Sequence, residues 1–227
     1  MYNKCTQQIK SFVLRQGKIT QSQKKAVYNL MPKYGIEFQE QMLDLNKIFK
    51  RDNPKIIEIG FGMGHATWQI AMNNPNNDYL GIEVHTPGVG SLLIQIEQCN
   101  ITNLKLIRHD ALSVFKNMIA DNSISGIYIF FPDPWPKKRH HKRRIIQTEF
   151  VDLLCDKLIK GGFIHLATDW EDYAHWILNK LTNSSKLVNK EKSQGFIQKP
   201  DYRPLTKFEE RGINLGHNVW DLIFTKI

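Results

Sequence analysis

Acidic side chains in this sequence follow short apolar segments, at positions where they could hold a polar small molecule. Glu83 and Asp110 each come just after such a segment, and Glu58 precedes a glycine-rich turn. The glycines of that turn are Gly60, Gly62 and Gly64. Glycine lets a backbone turn sharply and approach a ligand closely, and a carboxylate about 20 residues further on can accept hydrogen bonds from ribose hydroxyls. The pattern predicts a nucleoside-binding site.

The spacing of the glycines narrows the choice of ligand. A dinucleotide-binding turn would place its third glycine at position 65, where this chain has His65. Three acids suit a nucleoside that carries positive charge, with Asp110 placed to accept from an adenine amino group, and they suit a phosphate-rich ligand poorly. The alternatives are a purely structural turn and, for Glu83, a solvated acid at the end of a strand.

A second group of residues that could bind a ligand lies in a proline-rich loop and in the basic segment that follows it. Three prolines at positions 132, 134 and 136 restrict the backbone and hold Asp133 and Trp135 in place. The basic residues that follow are Lys137, Lys138, Arg139, Lys142, Arg143 and Arg144. Next to a carboxylate and an indole, this run predicts a strip that binds nucleic-acid phosphates. A solvated charged face, with Trp135 in the core, is the alternative.

These residues need a framework that brings the ends of strands together, and the apolar segments indicate one. Short apolar runs predict strands at residues 55–59, 78–83, 104–108, 124–131, 163–168 and 220–225. Helical spacing predicts helices at residues 38–49, 66–72 and 144–158 and helix starts at Thr86 and Trp170. Alternating strands and helices indicate an α/β fold with a parallel sheet, whose ligands bind at the carboxyl ends of the strands.

Charge is distributed unevenly along the 227 residues, whose formal net charge is +9. Residues 1–50 hold nine Lys or Arg and three acids, and residues 131–160 hold eight and four. Residues 51–130, in contrast, hold five basic and seven acidic residues. A slightly acidic centre between basic segments predicts a small-molecule site beside a surface that binds a polyanion.

Cysteine usage and hydropathy argue against several classes of protein. Three cysteines with no C-x-x-C pair do not make a disulfide scaffold or a thiolate metal site. The His140-His141 pair has no second ligand cluster, so we expect no metal. The longest apolar run, Ile127–Phe131, is far shorter than the ~20 residues of a membrane helix. We therefore expect a cytoplasmic protein with no membrane segment.

The motifs taken together resemble those of the bacterial tRNA (guanine-N7)-methyltransferases. The most specific match is the loop Phe131–His140, with the sequence FPDPWPKKRH; further matches are residues 15–18, 58–64, 81–84, 168–170 and 206–212. The resemblance implies a Rossmann-like class I methyltransferase, an α/β fold with a mostly parallel seven-stranded sheet, helices on both faces and an antiparallel last strand. We expect residues 1–35 to form a flexible basic arm and residues 36–227 to form the S-adenosylmethionine-dependent methyltransferase domain.

The resemblance also implies an activity and roles for individual residues. The reaction would move a methyl group from S-adenosylmethionine to N7 of the variable-loop guanine, position 46, of tRNA, and release S-adenosylhomocysteine. Asp133 corresponds to the family's catalytic residue. Cofactor contacts are expected from Glu58, Glu83, Asp110 and Asp133, together with Gly60, Gly62 and Gly64. Substrate contacts are expected from Lys137, Asp169, Thr206, Lys207, Phe208 and Glu209. RNA contacts are expected from Arg15, Lys138, Arg139, Lys142, Arg143 and Arg144.

Several alternatives stay open at this stage. Thr206 and Glu209 have the spacing of a helix capping box, so they could start a helix as well as touch a base. Asp133 could act on the guanine, on the cofactor or on both. Two rival functions are methylation of an exocyclic amino group in RNA or DNA, and binding of RNA and S-adenosylmethionine without catalysis. We expect tRNA as partner, no obligate protein partner, and either a monomer or a homodimer.

Overall fold

A seven-stranded sheet forms the centre of the protein. The computed structural model describes residues 9–13, 17–193, 195–206, 209–210, 212, 216 and 218–227. The strands are β1 (Lys55–Ile59), β2 (Asp78–Ile82), β3 (Leu104–Ile107), β4 (Ile124–Phe130), β5 (Leu158–Thr168), β6 (Leu187–Asn189) and β7 (Trp220–Lys226). Their order across the sheet is β3-β2-β1-β4-β5-β7-β6, and β7 runs antiparallel to both of its neighbours. The predicted α/β fold with an antiparallel last strand is confirmed.

Helices cover both faces of this sheet. They are α1 (Gln21–Tyr34), α2 (Leu45–Phe49), α3 (His65–Asn73), α4 (Thr86–Gln98), α5 (Ala111–Asn117), α6 (Thr148–Lys157) and α7 (Glu171–Thr182), with a 3-10 helix at Lys138–Arg143. Helices α1, α3 and α4 pack on one face, where Ile70 and Leu92 are buried. Helices α5, α6 and α7 pack on the other, where Phe115 and Tyr173 are buried. Burial on both faces explains why β1 and β2 are buried at every residue and do not alternate between buried and exposed positions.

The residues assigned to an arm contain a helix that the sequence analysis did not predict. A capping box starts α1: the Thr20 hydroxyl accepts from the backbone of Gln23, and the Gln23 side chain accepts from the backbone of Thr20. The helix continues through Pro32 and packs against α4 so closely that a Cβ on Gly90 would lie 2.7 Å from the Gln23 carbonyl oxygen. Residues 1–8 and 14–16 lie outside the described residues, so the flexibility of the arm stays a prediction.

Other element boundaries differ from the prediction for local reasons. The helix expected at residues 38–49 begins only at Leu45, because Asp44 caps it. The helix expected at residues 144–158 begins at Thr148, after the 3-10 helix. The strand expected at residues 163–168 begins earlier, at Leu158, and so includes Gly161 and Gly162. Gly161 adopts a positive φ of 78° next to a register shift between β4 and β5. Helix α5 and the short strand β6 were not predicted.

Candidate active site

The carboxyl ends of β1, β2 and β4 and the start of α5 surround a cavity of about 210 Å³. Four residues predicted to bind a cofactor line it: Gly60, Glu83, Asp110 and Asp133. These residues are far apart in sequence and meet because parallel strands end at the same edge of the sheet. The residues predicted at the strand ends therefore mark the position of the cavity.

The glycine-rich turn leaves open space above two of its residues. Gly60 and Gly62 have φ values of 75° and 55°, and a Cβ added to either would meet no atom within 4 Å. Gly64 has a different role, because a Cβ there would lie 2.8 Å from the side chain of Leu92. Gly64 thus permits close packing of the turn on α4, while Gly60 and Gly62 leave room for a ligand.

Glu83 fixes the glycine turn through its carboxylate. One oxygen accepts from the backbone N–H of Gly62 at 2.8 Å, and the other accepts from Val84 and His85 at 2.6 and 2.9 Å. A carboxylate offers about four acceptor positions, so these three bonds leave capacity for one more donor. The side chain is 8% exposed and lines the cavity.

Glu58 lies deeper in the protein than the other predicted acids. It is buried in β1 and does not line the cavity, whereas Gly60 two residues later does. Burial raises the pKa of Glu58 to about 7, the Thr67 hydroxyl opposes this rise, and the negative charge of Glu83 adds to it. A cation bound nearby would favour the ionised form of Glu58.

His109 and Asp110 form a part of the cavity where only the acid was predicted. The Asp110 carboxylate caps α5 by accepting from the backbone and hydroxyl of Ser113 at 3.1 and 3.0 Å. The His109 ring stacks on Phe38 with 3.8 Å between ring centroids, and its buried Nδ1 makes no hydrogen bond with a described residue. The imidazole and the carboxylate are both suited to bind a polar heterocycle.

The proline-rich loop after β4 has a strained backbone. Phe131 and Trp135 adopt φ values of 51° and 46°, a region that costs a non-glycine residue roughly 1 to 2 kcal/mol. Asp133 lies between them, exposed and in contact with the cavity. Such strain persists only where the surroundings hold it, and it concentrates at functional sites.

Trp135 contacts the N-terminal segment, residues 9–13. Its indole N–H donates to the carbonyl oxygen of Ser11 at 3.1 Å, and the Arg143 guanidinium lies 4.0 Å from the ring centroid. Arg143 in turn donates to the carbonyls of Lys10 and Phe12 at 3.1 and 3.2 Å. Ser11 and Phe12 also line the cavity, so this segment joins the basic loop to the candidate cofactor site.

One member of the predicted RNA-binding strip is not at the surface. Arg144 is 1% exposed, pairs with Asp172 and donates to the Pro134 carbonyl at 2.9 Å. Its guanidinium also lies over the rings of Tyr173 and Trp176. Arg144 therefore anchors the loop to α7 in this structure, and its contact with RNA stays a prediction.

The rest of the basic strip faces solvent. Lys137, Lys138, Arg139 and Lys142 are exposed, and Arg143 is half-buried. A groove of about 440 Å³ adjoins the cavity, shares Ser11, His109, Asp110 and Ile145 with it, and is also lined by Lys116, Lys142 and Arg143. Asp169 is exposed directly after β5. Arg15, Lys207 and Phe208 lie outside the described residues.

Thr206 and Glu209 show the geometry of a capping box. The Glu209 backbone donates to the Thr206 hydroxyl at 3.1 Å, and the Thr206 backbone donates to the Glu209 carboxylate at 3.4 Å. Glu209 is 2% exposed, and both of its carboxylate oxygens accept from Arg203. Thr206 is half-buried in this segment, whereas Glu209 lies in its interior. Arg203 carried no local sequence signal, because its partners lie in other elements.

Metal-binding clusters and membrane-spanning helices are both absent from the part of the chain that the structure describes. No cluster of three or more His, Cys, Asp or Glu side chains in the described ranges could hold a metal ion. None of the helices within those ranges combines the length and apolarity needed to cross a bilayer.

Fold and site together define a class I S-adenosylmethionine-dependent methyltransferase. Residues 52–222 match a protein family described as "Putative methyltransferase". Among solved structures, the chain is similar to the 16S rRNA methyltransferase KamB, with a TM-score of 0.59 and 11% identity over 82% of this chain and 94% of that one. It is also similar to an antibiotic-related methyltransferase, with a TM-score of 0.55 and 17% identity over 81% and 93% of the two chains. These two likenesses concern the fold alone.

Similarity in sequence is much higher to one group of curated proteins. The chain is 56% identical to the tRNA (guanine-N(7)-)-methyltransferase of Nitrosospira multiformis over 96% of this chain and 94% of that protein. It is 57% identical to the protein of the same name from Chromobacterium violaceum, over 96% of both chains. The chain belongs to the tRNA (guanine-N(7)-)-methyltransferase family, as the motifs predicted.

Proposed function

We propose that this protein transfers a methyl group from S-adenosylmethionine to N7 of guanine 46 in the variable loop of tRNA. The observation that carries the proposal is the position of Asp133. Its exposed carboxylate contacts the acid-lined cavity and belongs to the strained loop that continues into the basic strip. Donor and acceptor would therefore meet at this residue. Family membership supports the same reaction.

The cavity suits the cofactor in shape and charge. Open space above Gly60 and Gly62, the unpartnered Nδ1 of His109 and the carboxylates of Glu83 and Asp110 fit a nucleoside. We assign Glu83 to the ribose and Asp110 with His109 to the adenine. Glu58 contributes a buried carboxylate whose ionisation favours a nearby positive charge. When bound, S-adenosylmethionine supplies an electrophilic methyl group on a sulfonium centre.

The reaction requires the protein to orient the guanine and the methyl donor and to stabilise the charge that develops. Guanine N7 has an in-plane lone pair and no proton at neutral pH, so the nucleophile needs no general base. Asp133 would stabilise the positive charge that develops on the purine, or accept hydrogen bonds from its N1 and amino hydrogens. The strained, proline-restricted backbone around Asp133 holds the carboxylate in place before the substrate arrives.

The basic strip supplies a surface for the folded tRNA. Lys138, Arg139 and Lys142 are exposed for phosphate contacts. Arg143 would join them if the N-terminal segment moved, and we also assign an RNA contact to Arg15. We assign substrate contacts to Lys137, Asp169 and Thr206, and also to Lys207 and Phe208. A tRNA-modifying enzyme of this kind would act in the cytoplasm, as a monomer or a homodimer.

Transfer of labelled methyl groups to unmodified tRNA tests the proposal. The product is mapped by chain cleavage at 7-methylguanosine. We expect label at a single variable-loop guanine for the wild type, and a loss of at least about 10²-fold in kcat for Asp133→Ala. Asp152→Ala, which removes an exposed acid on α6, is the matched control and should keep full activity.

Two other results would replace the proposal. Label on an exocyclic nitrogen would make the protein an amino-directed methyltransferase. Tight binding of tRNA with no transfer would leave a binding module.

A further inference from the structure

Arg203 is a fully buried cation with carboxylates on two sides. Its Nε and Nη2 donate to the two oxygens of Asp221, both at 2.7 Å. Its Nη1 and Nη2 donate to the two oxygens of Glu209 at 2.7 and 2.8 Å. The guanidinium thus makes two bidentate contacts, the geometry that gives an arginine–carboxylate pair its directional strength. Arg203, Glu209 and Asp221 line neither the cavity nor the basic groove.

The network continues from Asp221 into the sheet. His165 on β5 lies 2.7 Å from Asp221 through Nε2 and 2.7 Å from the Tyr202 hydroxyl through Nδ1. Burial lowers the pKa of His165, so the ring is neutral. An ionised carboxylate can only accept, so Nε2 carries the proton and Nδ1 accepts from the Tyr202 hydroxyl. Burial raises the pKa of Asp221, but hydrogen bonds from His165 and Arg203 outweigh it and hold this pKa below its usual range.

The position of the cation connects three parts of the candidate active site. Its guanidinium carbon lies 5.6 Å from the ring centroid of Phe131, which is two residues before Asp133. Asp221 pairs with Ala167 in β5, two residues before Asp169. Glu209 closes the capping box with Thr206. Arg203 itself therefore contacts Phe131 at the end of β4, Asp221 at the start of β7, and Glu209. Asp221 connects this cluster to the end of β5.

We infer that Arg203 is a positioning residue for methyl transfer. It fixes the segment that carries Thr206 against the strand ends that carry Asp133 and Asp169, and it acts through Glu209, Asp221 and Phe131. The inference rests on the proposed function. Glu209 anchors Arg203, and Thr206 is the member of the capping box that we assign to the substrate.

Arg203→Lys tests the inference, with Arg51→Lys as the matched control. Arg51 also pairs with a buried aspartate, Asp78, but at the opposite end of the sheet. A lysine at 203 keeps the charge and loses the two bidentate contacts. We expect a fall of about 30-fold or more in kcat on tRNA and a change of less than about threefold in the Kd for S-adenosylmethionine. Arg51→Lys should keep kcat within about twofold of the wild type at the same folded fraction.

Two further variants separate positioning from folding. Tyr202→Phe removes only the hydroxyl that donates to His165, keeps the core volume, and should lower kcat by about three- to tenfold. Arg203→Ala should regain part of its activity when methylguanidinium is added, while Arg51→Ala should not respond. Rescue by a planar cation would identify the guanidinium geometry as the missing element.

The outcomes are distinct. An active wild type with Arg203→Lys and Tyr202→Phe both at full kcat overturns the inference and leaves the proposed function standing. An equal loss of kcat in Arg51→Lys would also overturn it, because the effect would then be one of general stability. A wild type that transfers no methyl group to tRNA overturns the proposed function itself, and with it the inference.

Discussion

The two ends of the sheet each hold a buried aspartate between basic residues, but they connect different kinds of structure. Asp78, at the start of β2, pairs with Arg51 and Lys55, which lie at or just before the start of β1. Asp221, at the start of β7, binds Arg203 and His165, and Arg203 extends to Glu209. The first cluster joins neighbouring strand starts, whereas the second joins the start of β7 to the ends of β4 and β5 and to the segment that carries Thr206.

The ion pairs around Asp78 and Asp221 are similar, but we assign those of Asp78 to folding and those of Asp221 to the candidate active site. Around Asp78 the connected parts are already paired in the sheet, in register from Lys55 opposite Asp78 to Ile59 opposite Ile82. Around Asp221 the described residues 200–206 form no named strand, and the side-chain bonds of Arg203 hold this segment. The position of each cluster within the fold decides its role, because the residue types in the two clusters are similar.

The largest effect on stability should come from breaking the second cluster. Arg203→Met leaves Glu209 without its buried partner and Asp221 with His165 alone, which should cost roughly 3 to 5 kcal/mol in the free energy of unfolding. Arg51→Met should cost less, about 1 to 2 kcal/mol, because Lys55 still pairs with Asp78 at 3.2 Å. Urea unfolding of both variants measures the difference, and equal losses would remove the distinction between the two ends.

The buried acid at the catalytic end should make stability depend on pH. The pKa of Glu58 is about 7 in the folded protein and 4.5 in the unfolded chain. Protonation of Glu58 then favours folding, so the contribution of Glu58 to stability is greatest below about pH 4.5 and is lost as the pH rises through 7. Relative to Glu58→Gln, the wild type should lose roughly 2 to 3 kcal/mol between pH 5 and pH 8. A constant difference between the two proteins over this range would show that Glu58 is not buried as described.

The smallest effect should come from single exposed cations. Lys138→Gln should weaken tRNA binding a few-fold and reduce the slope of log K against log salt by about 0.7 to 0.9. Lys190→Gln, which changes an exposed lysine far from the basic strip, should leave the slope unchanged. Filter binding at several salt concentrations measures both, and equal slopes for the two variants would move the tRNA surface away from the strip.

Sequence reasoning found the parts of the site that have local signals. The ends of apolar strands predicted that Gly60, Glu83, Asp110 and Asp133 would meet, and they line one cavity. Buried strands and glycine turns are encoded within a few residues, so a single sequence reveals them.

The parts that were missed depend on partners far away in the chain. Arg144 looked like one more basic residue of the strip, and only its pairing with Asp172, 28 residues later, shows that it is buried. Arg203 meets Asp221 18 residues later, and Asp221 meets His165 56 residues earlier. Helix α1 lies within the residues assigned to a basic arm, and it continues through Pro32 in its last turn. Pairs of charged residues that are distant in the chain produce no periodic pattern in the sequence, so the sequence alone does not predict them.

The most direct test of the account replaces one atom of the substrate. A tRNA that carries 7-deazaguanosine at position 46 keeps the exocyclic amino group and replaces N7 with a C–H group. We expect this tRNA to bind with nearly the affinity of the unmodified tRNA but to receive no methyl group. The unmodified tRNA should be methylated under the same conditions. Methyl transfer to the substituted guanine at a comparable rate would contradict N7 as the acceptor.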